Sequence, residues 1–202
     1  MDRKQVTQPH TQRGATTRSR IIEAACVLVR VHGAAATSID AVISAAEVSK
    51  SQLYHYFADK ETLITAVVEH QTAQVLAFNG ALLSEFASVV DLQRWSKVLI
   101  DGPASGNQGC PLGSLVGELA NRPTQRAMLA KGFTQWRAIF ADGFVRMRNL
   151  SQLRDTIDPE DLAIMCLAAL QGGLLLAQAE QSTRPLRLAL EMAIAQVAAN
   201  AP

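Results

Sequence analysis

A chain of 202 residues can bury a core of its own, and 49% apolar against 18% charged residues excludes an intrinsically disordered chain. Three scattered cysteines, Cys26, Cys110 and Cys166, have no CxxC or Cys/His ligand spacing, which argues against both a disulfide framework and a zinc site. The net charge of +1 is uneven: residues 1–60 hold eight Lys/Arg against five Asp/Glu, and the remainder eleven against thirteen, so the basic excess lies N-terminally, where a nucleic-acid footprint would be sought.

The first residues are polar and lack the apolar stretch of a secretory signal, so a disordered tail over 1–15 and a cytoplasmic address are expected. From about Thr17 or Ser19, Ile21, Ala25, Leu28 and Val29 recur at helical spacing and stop at His32-Gly33, which predicts an amphipathic helix with a glycine end. Thr37 followed three residues later by Asp40 reads as a capping-box start, and Ile39, Val42, Ile43 and Ala46 give a short second helix its apolar stripe. After a break at Glu47-Val48, Ser49 can cap a third helix, SKSQLYHYF, with Leu53 and Phe57 on one face. Asp59 then caps a long fourth helix carrying Leu63, Ile64, Val67 and Val75.

Downstream, DLQRWSKVLI is helical and GPASGNQG is a loop. Pro111 is expected at the first position of a new helix, Pro123 opens a long amphipathic one, and Asp158-Pro159 caps LAIMCLAALQGGLLLAQA. RPLRLALEMAIAQVAA forms the last. No strand pattern competes, so the fold class is all-α with about nine helices. No nucleophile-base spacing, metal cluster or phosphate loop marks an enzyme, and no cofactor is expected.

Two short helices joined by a tight turn, with a first helix behind them, make a helix-turn-helix. On the second of the pair, Ser51, Tyr54 and His55 share a face away from Leu53, with Lys50 on its edge. Hydroxyls and imidazole can meet phosphates or base edges, while Lys50 and Lys60 supply positive charge. A solvated face or interhelical aromatic packing is the competing reading of these side chains.

These stretches, T-S-I-D-A-V from Thr37 to Val42 and V-S-K-S-Q-L-Y-H-Y-F-A-D-K-E-T-L from Val48 to Leu63, resemble the TetR/AcrR family of regulators. The resemblance is strong over about residues 17–65. Beyond it, Gly109-Cys110-Pro111-Leu112-Gly113 and the stretch from Leu170 to Gln178 are similar to a subgroup with the LmrA and YxaF repressors. The resemblance implies a helix-turn-helix domain over 16–60 and a helical ligand-binding and dimerisation domain over 61–202. It also implies that Thr37, with Ser38 beside it, and Lys60 hold phosphates of a double-stranded operator. Ser49, Lys50, Ser51, Gln52, Tyr54, His55 and Tyr56 would face that DNA. The family usually has glycine where this chain has Glu47; if that turn needs φ > 0, a side chain there costs about 1 kcal/mol.

In the second domain, Trp95, Phe133, Trp136, Phe140, Met165 and Cys166 are candidates to line a pocket for a small-molecule effector, or equally to fill a solid core. Cys110, before Pro111 at a helix start, is a candidate sensing thiol whose pKa the helix dipole would lower. From Leu162 to Ala179 the chain is uncharged, a length near the lower limit for a membrane span. Its glutamines and the Gly172-Gly173 pair instead favour a doubly buried helix, one side on its own domain and one on a second subunit. The function expected is therefore a ligand-responsive repressor, a homodimer through the last two helices and not a membrane protein. A ligand-independent helix-turn-helix adaptor is the alternative.

Overall fold

The computed structural model describes residues 12–102 and 109–202. Most of the expected tail, and the loop from Pro103 to Gln108, fall outside these residues. Among the described residues there are nine helices and no strand. They group into two compact units, one holding the residues up to Ala73 together with Ser114–Leu129, the other Gln74–Gly113 and Ala130–Pro202.

In the first unit, α1 (Gln12–Ala36) starts several residues before the expected Thr17, so residues 12–15 are helical rather than tail. Gly33 breaks its regularity at φ 82°, ψ 160°, which is where the glycine end was expected. Ile21, Ala25 and Val29 bury one face, and α2 (Ile39–Ala45) packs against it through Val42 and Ala46. The cap of α2 is Ser38 and not Thr37: the Ser38 hydroxyl accepts the Ala41 N–H at 3.1 Å. α3 (Lys50–Tyr56) has its full capping box, with Gln52 N–H on Ser49 Oγ at 3.1 Å and Ser49 N–H on Gln52 Oε1 at 2.8 Å. α4 (Lys60–Leu83) opens on the expected Asp59 cap, whose carboxylate takes the Thr62 N–H at 2.7 Å. These donors hold the Asp59 carboxyl below the usual carboxylate range.

Also in this unit, α6 (Gly113–Glu118) is a short helix that Pro111 does not open; Pro111 and Leu112 form a turn ahead of it. α7 (Pro123–Asn149) begins at the expected proline, and its first two turns belong here too.

The second unit contains the rest of α4 and α7 with α5 (Val89–Asp101), α8 (Pro159–Glu180) and α9 (Arg184–Ala199). Its core is aromatic: Phe86 meets Phe144 edge-on at 5.1 Å between ring centres, and Trp95 meets Phe140 likewise at 5.1 Å. Gly143 is required there, because a Cβ would overlap the Phe86 ring. Arg146 on α7 donates to the carbonyls of Leu83 at 3.2 Å and Phe86 at 3.0 Å, satisfying the end of α4. α8 begins on the expected Asp158 cap and Pro159, and α9 packs along it. By length and composition α8 could cross a membrane, but its inner face is buried on its own unit through Leu162, Cys166, Leu170 and Gly173.

Candidate nucleic-acid interface

The helix-turn-helix is built from its turn outward. Glu47 lies at φ 50°, so the left-handed conformation that the family serves with glycine is present here on a side chain. The turn is a Schellman motif: Val48 N–H bonds Ile43 O at 3.2 Å, and Glu47 N–H bonds Ser44 O at 3.2 Å. Arg20 of α1 donates to the Glu47 carbonyl at 3.4 Å, tying the turn to the helix behind it. No local pattern marks Arg20, because the contact joins residues 27 apart.

This turn sets α3 with Leu53 and Phe57 fully buried, and Lys50, Ser51, Gln52, Tyr54 and His55 exposed on the other side. Because the side-chain oxygen of Gln52 is committed to the capping box, its amide N–H₂ is what remains to read a base edge or a phosphate. Ser38 and Ser49 are exposed at the helix starts, each engaged as a cap. Arg18 lies over the Phe57 ring, 5.4 Å from its centre, adding positive charge to the same unit.

Three residues expected at the DNA have partners within the unit. Thr37 is buried at 3% exposure, its hydroxyl donating to Gly33 O at 2.8 Å, so it locks the α1–α2 junction instead of offering a phosphate donor. Tyr56 is buried beside His55, with ring centres 4.8 Å apart and edge-on, and contributes to the core. The Lys60 ammonium donates to Ala35 O at 2.7 Å and remains partly exposed.

In the second unit the effector candidates divide. Trp95, Phe140 and Cys166 are core: the Trp95 indole N–H donates to Asn79 Oδ1 at 3.0 Å, Phe140 is fully buried, and burial pushes the Cys166 thiol up to about 12. Phe133 and Met165 are only half-buried, and Phe133 stacks on Trp136 at 6.3 Å. The Trp136 indole N–H is buried without a hydrogen-bond partner among the described residues. At Cys110 the expectation of a lowered thiol pKa fails. Burial raises it, outweighing the N–H groups of Gly113 and Leu112 and the side chain of Gln171, which act the other way.

Known proteins place this architecture. An uncharacterized HTH-type transcriptional regulator of Mycobacterium tuberculosis is 27% identical over 185 residues, covering 85% of this chain and 89% of its own. The HTH-type transcriptional repressor DhaR of Mycobacterium sp. (strain GP1) is 26% identical over 187 residues, covering 84% and 86%. Among solved structures, a TetR-family transcriptional regulator from Cytophaga hutchinsonii superposes with a TM-score of 0.85 at 20% identity, covering 96% of this chain and 98% of that one. Residues 21–67 match the N-terminal domain of the bacterial regulatory proteins of the tetR family. Since residues 92–192 also match the C-terminal domain of LmrA/YxaF-like transcriptional regulators, the chain belongs to the TetR family of DNA-binding transcriptional regulators.

Proposed function

We propose that the protein is a repressor that grips a palindromic operator as a homodimer and is released by a small molecule bound in its C-terminal unit. The observation that carries the DNA half is the exposed polar face of α3, where Lys50, Ser51, Gln52, Tyr54 and His55 stand over a buried Leu53. A helix that is apolar behind and rich in donors in front suits a major groove. In this reading Lys50 and Ser51 hold phosphates or base edges, while Gln52 and Tyr54 discriminate among sequences. The repressor sense follows that of the transcriptional repressor DhaR, a relative over most of the chain.

The dimer half rests on α8 and α9. Ile164, Leu175 and Leu176 on α8, with Leu188 and Met192 on α9, are large apolar side chains exposed in the single chain. Leu176, Leu188 and Met192 also border one shallow hollow. A contiguous apolar face of this kind needs a cover, and a second copy related by a two-fold axis supplies the same face in return. The effector half rests on the unpaired indole N–H of Trp136 and on the half-buried Phe133 and Met165. A buried donor without a partner suits a ligand that is apolar but carries a hydrogen-bond acceptor.

The test begins with selection of duplexes from a random-sequence pool by the purified protein. The expected winners are palindromes with half-sites about one helical turn apart, roughly 34–36 Å between the two recognition helices. Enrichment of single, non-repeated sites bound by one chain would refute the dimeric operator reading. Screening small-molecule extracts for release of the selected duplex then tests the effector half.

A further inference from the structure

The segment that carries the helix-turn-helix is gripped from outside it. Gly33 leaves the α1 helix at φ 82°, and the Thr37 N–H and hydroxyl both fold back onto its carbonyl, at 3.2 and 2.8 Å. Ser38, which caps α2, follows directly. Between them, Ala35 is held by two side chains that approach from other helices. Its N–H donates to Glu118 Oε2 of α6 at 3.1 Å, across 83 positions of sequence. Its carbonyl accepts from Lys60 Nζ of α4 at 2.7 Å. The Glu118 carboxylate lies so near Gly33 that a Cβ added there would come within 2.9 Å of it.

The grip is not packed solid. A hollow of about 230 Å³ borders it, lined by Ala35, Lys60, Glu118, Arg122 and the buried Gln125. The Glu118 carboxylate can therefore swing away without displacing core side chains. Lys60 would keep its hold on the Ala35 carbonyl, but the N–H would lose its acceptor. An exposed backbone N–H finds water easily, so losing this bond loosens the junction without unfolding the unit.

We infer that Glu118 is a positioning residue for DNA binding: by holding the Ala35 N–H it fixes the α1–α2 junction and thereby the pose of α3. It touches no DNA. This inference rests on the assignment of α3 to the DNA, and it adds a residue of α6, far from the recognition helix in sequence, to the determinants of affinity.

The experiment compares the full-length protein with Glu118→Ala and Glu118→Gln on a duplex selected by the unaltered protein. Glu118→Ala should weaken binding about tenfold, equivalent to roughly 1.4 kcal/mol. The slope of affinity against salt should stay the same, since no phosphate contact is removed. Glu118→Gln, which keeps an acceptor oxygen, should bind within about threefold of the unaltered protein, converted as about 0.65 kcal/mol by the same relation. Amide exchange at Ala35 should accelerate in Glu118→Ala and not in Glu118→Gln. A merely structural role would lower the thermal midpoint and leave affinity, measured well below it, unchanged. If Glu118→Ala binds the duplex as tightly as the unaltered protein, the inference is overturned while the α3 assignment stands. If the unaltered protein selects no duplex at all, both fall.

Discussion

Glu47 shows what a single residue contributes to this fold. Its backbone holds φ 50° in the Schellman turn, where a Cβ is unfavourable by about 1 kcal/mol or somewhat more. Replacing it with glycine should therefore stabilise the protein by about that amount and raise the thermal midpoint by roughly 2–4 °C. It also removes a carboxylate from the turn that precedes α3, so operator affinity should rise as well; calorimetric melting and a binding titration check the two effects separately. The cysteines make a second residue-scale case. Burial pushes Cys26 up to about 11 and Cys166 up to about 12, from ordinary values of 9.0, and raises Cys110 in the same direction. A thiol whose folded pKa is raised supports folding fully below its unfolded value and loses that support as pH climbs towards the folded one. Stability should thus fall progressively above pH 9, and alkylation of the native protein at pH 8 should lag far behind that of the unfolded chain. The residue signals that were legible in sequence are those acting over three or four positions, such as the caps at Ser49, Asp59 and Asp158. The inward turn of Thr37 was not legible, because its hydroxyl answers to a break in α1 that only the folded chain displays.

At the scale of elements, two glycines side by side do different things. A Cβ on Gly173 would sit 2.9 Å from Leu186 Cα, so this residue lets α9 lie close on α8. A Cβ on Gly172 would meet nothing within 4 Å. Gly173→Ala should consequently destabilise the single chain by about 1–3 kcal/mol through overpacking. Gly172→Arg should leave the chain folded and abolish the proposed dimer, as judged by circular dichroism and sedimentation. Arg146 is a further test of element packing: Arg146→Met removes a charged donor from two carbonyls at the end of α4 and should cost about 1.5–3 kcal/mol, read by denaturant titration. The existence and order of these helices follow from periodicity and caps alone. Pro111 misled because a proline suits a turn as well as a first helical position, and the chain places two residues of turn before α6 begins.

For the whole molecule, the units divide where no local signal exists. Ser114–Leu129 clusters with residues up to Ala73, so α6 and the start of α7 accompany the DNA-binding head although they lie beyond a contiguous boundary at 60/61. Hydrophobic pattern reports that a helix is buried, not which partner buries it, and a boundary drawn along the chain could not have separated them. Operator binding should weaken linearly in log affinity against log salt, and Lys50→Ala should reduce that slope by about 0.9 if the residue neutralises one phosphate. An unchanged slope with altered preference among duplexes would instead place Lys50 on a base edge.

The left-handed turn at Glu47 has a genetic consequence as well as an energetic one. A glutamate codon becomes a glycine codon by one A-to-G transition, so the relaxed turn lies a single mutational step away. Natural proteins sit near a stability threshold and retain substitutions that stabilise them more than function requires only by chance. Under laboratory selection for tighter DNA binding from this scaffold, that transition is expected among the earliest changes to sweep, ahead of any that must rebuild the recognition helix.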